Sequence, residues 1–267
     1  ILDAVIEANA LLSGLVMVLS GVPSRLRELQ VFVTAMQEFM ILDNMVAEMG
    51  GLAEVQLQSA LEALIRRDIE KAAEIVANDR RLDHLEAEVD QHTIAMLARR
   101  QPMAKDLREI VGALKVASMI ERIGDYAKNV AKRTGAIAEM PPVPSAQTVV
   151  RLGGLAQQMV KDVLDAYLSR DVEQAKSVRA RDRELDALYT SIFRELLTYM
   201  MEDPRNISAC THLLFVAKHI ERIGDHATNI AEIVHFLVTG EMPLDDRPRQ
   251  DESEMTIVTA HVASDEE

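Results

Sequence analysis

The run Glu121-Arg122-Ile123-Gly124-Asp125 returns letter for letter as Glu221-Arg222-Ile223-Gly224-Asp225, and Asn129 is matched by Asn229 at the same offset of 100. Other matches precede it in the same order. Arg67-Asp68-Ile69-Glu70 returns as Arg170-Asp171-Val172-Glu173, and Asp79-Arg80-Arg81-Leu82-Asp83 as Asp182-Arg183-Glu184-Leu185-Asp186, both displaced by 103. Pro102 returns as Pro204. A chain that repeats itself in this way is built from two copies of one unit, here of about 100 residues, a workable size for a small domain. The Pro-rich Met140-Pro141-Pro142-Val143-Pro144 is the natural linker.

The units read as helical. The eight prolines all stand where helices could begin or end, and the stretches between them are rich in Ala, Leu, Met, Glu, Arg and Gln. No strand alternation stands out. The spacing predicts long helices near 29–65, 69–100, 103–137, 146–169, 172–202 and 205–239, three to a unit. Asp68 can cap one helix, Asp171 with Gln174 resembles a capping box, and Asp203 before Pro204 places proline at a first helical position. The fold class is therefore all-α: two tandem, pseudo-symmetric three-helix bundles over 36–140 and 145–240, a helical N-terminal extension at 1–35, and an acidic disordered tail at 241–267.

Charge and composition exclude several functions. The net charge is −14, and residues 241–267 carry −7 of it. That balance argues against a phosphate-backbone binder, and 3% aromatics without Trp argue against base stacking, so no nucleic-acid partner is expected. Cys210, the single cysteine, rules out an intrachain disulfide framework or a cysteine-built zinc site and fits a reducing cytoplasm. Residues 8–24 carry no charge, but Asn9, Ser13, Ser20 and Pro23 interrupt them and no basic segment precedes them. They read as a partly buried helix rather than a membrane span or secretory signal.

The carboxylates have a definite placement. With successive residues turned by about 100°, Leu107, Ile110, Leu114 and Ala117 share a side with Glu121 and Asp125. Ile207, Cys210, Leu214 and Ala217 do the same for Glu221 and Asp225. On the partner helices Ile69, Ala72 and Val76 line up with Asp79 and Asp83, and Ile94 and Leu97 continue the line. Val172 and Ala175 lead to Asp182 and Asp186, followed by Phe193 and Leu197. Each unit thus carries two acid-x-x-x-acid pairs on faces looking inward or along its edge. Four neighbouring carboxylates repel, and they can take up protons, pair with arginines or hold hard cations. Arg80, Arg122, Arg183 and Arg222 each follow a first acid, so interhelical salt bridges are a sufficient reading of the spacing.

With Glu-Arg-Ile-Gly-Asp-x-x-x-Asn present twice and acid-x-x-x-Asp pairs upstream, the sequence resembles the PhoU family, from about Phe39 to Gly240 and including Met49-Gly50-Gly51-Leu52-Ala53-Glu54. The resemblance implies a non-enzymatic, cytoplasmic negative regulator of phosphate-starvation signalling and phosphate uptake. Such a protein is an adaptor between the ATP-binding subunit of the phosphate ABC transporter and the phosphate sensor histidine kinase. It reaches the membrane only through these partners and forms a homodimer or higher oligomer. The resemblance also implies multinuclear iron, or alternatively zinc, manganese or magnesium, held by Asp79, Asp83, Glu121 and Asp125 in the first bundle and by Asp182, Asp186, Glu221 and Asp225 in the second. Asn129 and Asn229 would orient carboxylates.

The alternative is a di-iron-like carboxylate helix-bundle enzyme. That chemistry needs Glu-x-x-His on two helices of one bundle, whereas Glu232-x-x-His235 occurs once and Lys132 and Gly135 stand at the matching first-unit positions. His226 points away from Asp225 on the helical wheel and reads as a surface residue. Met36, Met40, Met45 and Met49 read as core.

Overall fold

The repeated Arg-Asp pair is a complete helix junction in two residues. Arg67 and Arg170 both sit in the left-handed region at φ 56°, which stops the preceding helix. The next amide closes the turn, Asp68 N–H to Ala63 O at 2.9 Å and Asp171 N–H to Ala166 O at 3.0 Å. The same aspartates then cap the following helix. Asp68 Oδ1 accepts from Lys71 N at 2.9 Å, and Asp171 Oδ1 accepts from Glu173 N at 2.9 Å and Gln174 N at 3.0 Å. A chain bearing this signal folds back on itself at the same place in both units.

The computed structural model describes residues 24–243 apart from 101 and 103. The segment up to residue 23 and most of the acidic tail, from residue 244, lie outside the described residues. Helix α1 (Ser24–Arg66) is followed by α2 (Ile69–Asn78), α3 (Arg80–Arg100) and α4 (Lys105–Ala138). The second unit comprises α5 (Ala146–Ser169), α6 (Val172–Glu202), a 3-10 turn at Pro204–Asn206 and α7 (Ile207–Thr239). The helix expected over 69–100 is thus interrupted at Asp79, where the backbone stays helical at φ −57°, ψ −35°. Its counterpart α6 is continuous. Asp203 caps the 3-10 turn, its Oδ1 accepting from Arg205 N at 2.9 Å. Helix α1 begins at Ser24, so it runs unbroken through residue 35.

Within the first bundle α1, the α2–α3 pair and α4 pack on one another, and α5, α6 and α7 do so in the second. Equivalent helices join the bundles, α1 to α5 and α4 to α7. One continuous apolar core runs through both. Leu61 of α1 lies over Gly153 of α5 so closely that a Cβ there would stand 2.4 Å from its Cδ2. No helix among the described residues is long and apolar enough to cross a membrane.

The core stripe of α2–α3 consists of Ile75, Leu82, Leu85, Val89 and Met96. Ile69 and Ile94, expected on the carboxylate line, face solvent, as do Leu107 and Ile207 at the starts of the equivalent α4 and α7 stripes. The acidic line therefore runs along the edge of the core rather than through its middle. Of the four methionines expected in the core, Met49 is fully buried, Met45 packs against the core, Met40 is half-buried and Met36 is exposed.

Candidate functional site

Glycine in the doubled motif has a steric reason. A Cβ on Gly124 would lie 2.2 Å from Leu82 Cδ2, and one on Gly224 would lie 2.0 Å from Leu185 Cδ2. Without that Cβ, α3 settles on α4 and α6 on α7 at the point where the acidic residues cross. Leu82 stands between Asp79 and Asp83, and Leu185 between Asp182 and Asp186, so each leucine anchors the pair around it.

In the first bundle Asp79 is buried, Glu121 and Asp125 are partly buried, and Asp83 is exposed. The structure joins Asp79 to Asp125 through Lys128, whose Nζ donates to Asp79 Oδ2 and Asp125 Oδ1. Gln56 Nε2 donates to Asp79 Oδ1 at 2.9 Å and to the Gly124 carbonyl at 3.2 Å. Burial works against the Lys128 ammonium, but hydrogen bonds to Asp125 and Asp79 hold its pKa above the usual lysine value. Glu121 stands beside this knot. Burial, then the charges of Asp125 and Glu86, push its carboxyl up to about 7; Arg122 opposes the rise and Asp83 adds to it. The Arg122 Nε lies 3.7 Å from Glu121 Oε2.

The second bundle buries more acid. Asp182, Asp186 and Glu221 are 1%, 4% and 5% exposed. Thr228 Oγ1 donates to Asp182 Oδ1 at 3.1 Å. Lys218 Nζ donates to Glu221 Oε1 at 3.1 Å, and Arg222 reaches Asp225 Oδ2 at 3.4 Å. Glu221 Oε2 is buried without a hydrogen bond, with Arg222 Nε 3.8 Å away. Burial first, then Asp225, lifts the Glu221 carboxyl to about 7 against the pull of Lys218 and Arg222.

Salt bridging from the arginine after each first acid therefore accounts for only part of the charge. All four arginines are exposed; Arg122 and Arg222 each stand near the glutamate preceding them on their own helix rather than bridging between helices. The groups that sequence reasoning missed are Lys128, Gln56, Lys218 and Thr228. Two left a visible signal, since Lys128 follows Asp125 by three residues and Lys218 precedes Glu221 by three. Among the described residues no three His, Cys, Asp or Glu side chains are gathered into a ready metal-binding group. The lone Glu232-x-x-His235 is engaged elsewhere: Glu232 lies 3.5 Å from Arg179 Nε, and His235 Nδ1 is 3.0 Å from the Glu241 carbonyl oxygen. His226 is not a simple surface residue. Its ring stacks on Tyr126 at 5.7 Å across the α4–α7 contact, where His219 also meets Tyr126 at 5.6 Å.

The PhoU domain matches residues 46–134 and again 149–234, together well over half of the chain. The chain belongs to the PhoU family. The two matched segments fall one within each structural unit. A phosphate-specific transport system accessory protein PhoU homolog of Rhizobium meliloti is 50% identical over 216 residues, covering 80% of this chain and 91% of that protein. The homolog of Caulobacter vibrioides is 51% identical over 216 residues, covering 80% and 94%. Among solved structures, PhoU from Pseudomonas aeruginosa superposes with a TM-score of 0.73 at 40% identity, over 76% of this chain and 98% of that one. The phosphate transport system regulatory protein PhoU from Streptococcus pneumoniae has the same TM-score, 0.73, at 26% identity, over 78% and 99%. PhoU is an accessory and regulatory family, and this member is not an enzyme.

Proposed function

We propose that this PhoU protein restrains phosphate-starvation signalling and phosphate uptake, as a contact-based adaptor between the ATP-binding subunit of a phosphate ABC transporter and a phosphate sensor histidine kinase. The observation that carries the reading is identity of about half over 216 residues with proteins named as phosphate-transport accessory proteins. In this reading the protein works in the cytoplasm as a homodimer or higher oligomer and meets the membrane through its partners. Regulation is a shift in the populations of its contacts: a transport state that binds the adaptor more tightly withdraws it from the kinase.

Of the eight carboxylates, the four of the second bundle are the cation-responsive part of this proposal. Their chemistry favours a hard or borderline ion, as an all-oxygen donor set does. The second bundle fits such an ion better. Its buried Glu221 Oε2 has no hydrogen bond, and Asp182, Asp186 and Asp225 lie on the same pair of helices. These four would hold the ion, which would supply positive charge to a buried acidic face. The side chains would have to rotate together to form the shell. In the first bundle the space between Asp79 and Asp125 already holds an ammonium.

Deletion of the gene, with a phosphate-starvation reporter read in phosphate-replete medium, tests the regulatory role. Reporter expression should rise, and the tagged protein should co-purify with the transporter ATPase and the kinase. A reporter that stays repressed, with neither membrane component recovered, would refute the adaptor.

A further inference from the structure

The two acidic faces are duplicates in sequence but carry their lysines at different positions. Asn129 aligns with Asn229, so Lys128 occupies the place of Thr228. In the second bundle that place holds a neutral hydroxyl, donating one hydrogen bond to Asp182. In the first it holds a cation bonded to both Asp79 and Asp125. The Lys128 side chain is 19% exposed and that of Asp79 is 8% exposed, so the contact is largely withdrawn from water. The second bundle places its lysine elsewhere: Lys218, where the first unit has Ser118, reaches Glu221 Oε1 from one turn away and stands 4.9 Å over the Tyr189 ring.

A lysine ammonium carries three donors and no acceptor, and oxygen atoms of carboxylates satisfy it as they would a small hard cation. A divalent ion bridging Asp79 and Asp125 needs the same oxygens and the same space. Gln56 removes a further lone pair from competition by donating to the other Asp79 oxygen. The remaining acids of this bundle do not replace the lost pair, because Asp83 is exposed and Glu121 faces Arg122. We infer that the Lys128 ammonium is the first bundle's resident cation, filling the position between Asp79 and Asp125, so that a divalent metal ion does not enter there. Uptake by the second bundle rests on the function proposed above; exclusion from the first stands without it.

The test is Mn2+ content of the full chain, stripped of metal and then equilibrated with Mn2+, read by mass spectrometry on protein whose folding is checked by circular dichroism. Lys128→Thr copies the residue of the second unit, and Lys128→Met keeps the apolar stem without the charge. Either folded variant should take up at least one more Mn2+ per chain than the wild type, and Asp125→Asn added to it should remove that gain. In the wild-type background Asp125→Asn should leave Mn2+ content unchanged, whatever the Lys128 variants do. No gain in a folded Lys128 variant, or loss of Mn2+ in the single Asp125→Asn protein, would overturn the inference. A wild type that holds no Mn2+ beside a Lys128 variant that does would uphold it and dismiss the second-bundle reading.

Discussion

Gly224→Ala probes the closeness with which α6 lies on α7. The new methyl would stand 2.0 Å from Leu185 Cδ2, whereas two carbon atoms rest at about 3.5–4.0 Å. Leu185 is fully buried, so its side chain cannot swing into solvent to make room. Overpacking of this kind costs about 1–3 kcal/mol, and so short a contact against a fully buried leucine belongs in the upper half, about 2–3 kcal/mol. Alanine in place of glycine returns about 1 kcal/mol of helix propensity. The net effect is a loss of roughly 1–2 kcal/mol, or about 2–8 °C in Tm for a chain of this size. Gly154→Ala supplies the control, since that exposed helical glycine has nothing within 4 Å of its would-be Cβ. It should gain about 0.5–1 kcal/mol, so the two substitutions differ in sign. Urea denaturation of both, compared through their midpoints at constant m, is the assay. Leu185→Ala should partly rescue Gly224→Ala, because the added methyl enters vacated volume. Equal or higher stability of Gly224→Ala, or strict additivity in the double variant, would refute the steric account of the motif glycine.

Two more outcomes follow from the electrostatics. Glu121 and Glu221, both raised to about 7 from 4.5, keep protons in the folded state that the unfolded chain has released between those values, so stability falls as pH climbs through that window. Glu221→Gln should therefore be more stable than the wild type at pH 8, by on the order of 1–2 kcal/mol without added divalent ions, and no more stable at pH 4; thermal melts showing the same difference at both pH values would contradict this. Arg170 Nη2 bonds Asp43 at 3.0 Å and Glu109 at 2.8 Å, tying α1 and α4 of the first bundle to the α5–α6 turn. Arg170→Ala should cost about 2–4 kcal/mol, by leaving partly buried acids without their cation. Arg67→Ala, whose side chain donates to the Met140 carbonyl at 2.9 Å, should cost less in the same melts.

Local signals were legible in the chain, and long-range neutralisation was not. The caps at Asp68 and Asp171 and the helical period each depend on residues within one or two turns. That range is enough to read two three-helix units and the four acid pairs. The interruption at Asp79 was missed because no proline or glycine marks it. His226 was misplaced because a helical wheel shows only one helix, and its stacking partner Tyr126 lies on another.

The duplication, the all-helical class, the order of the helices and the residues able to form acidic faces are all readable along the chain. Each of these follows from periodicity, steric preference or identity repeated along the chain. Which charges meet is set by the packing of one helix on another. Lys128 and Thr228 hold equivalent positions, yet one joins two aspartates across helices with an ammonium and the other donates a neutral hydroxyl to Asp182. Coulomb energy depends on distance and burial, and both are set when α3 closes on α4 and α6 on α7.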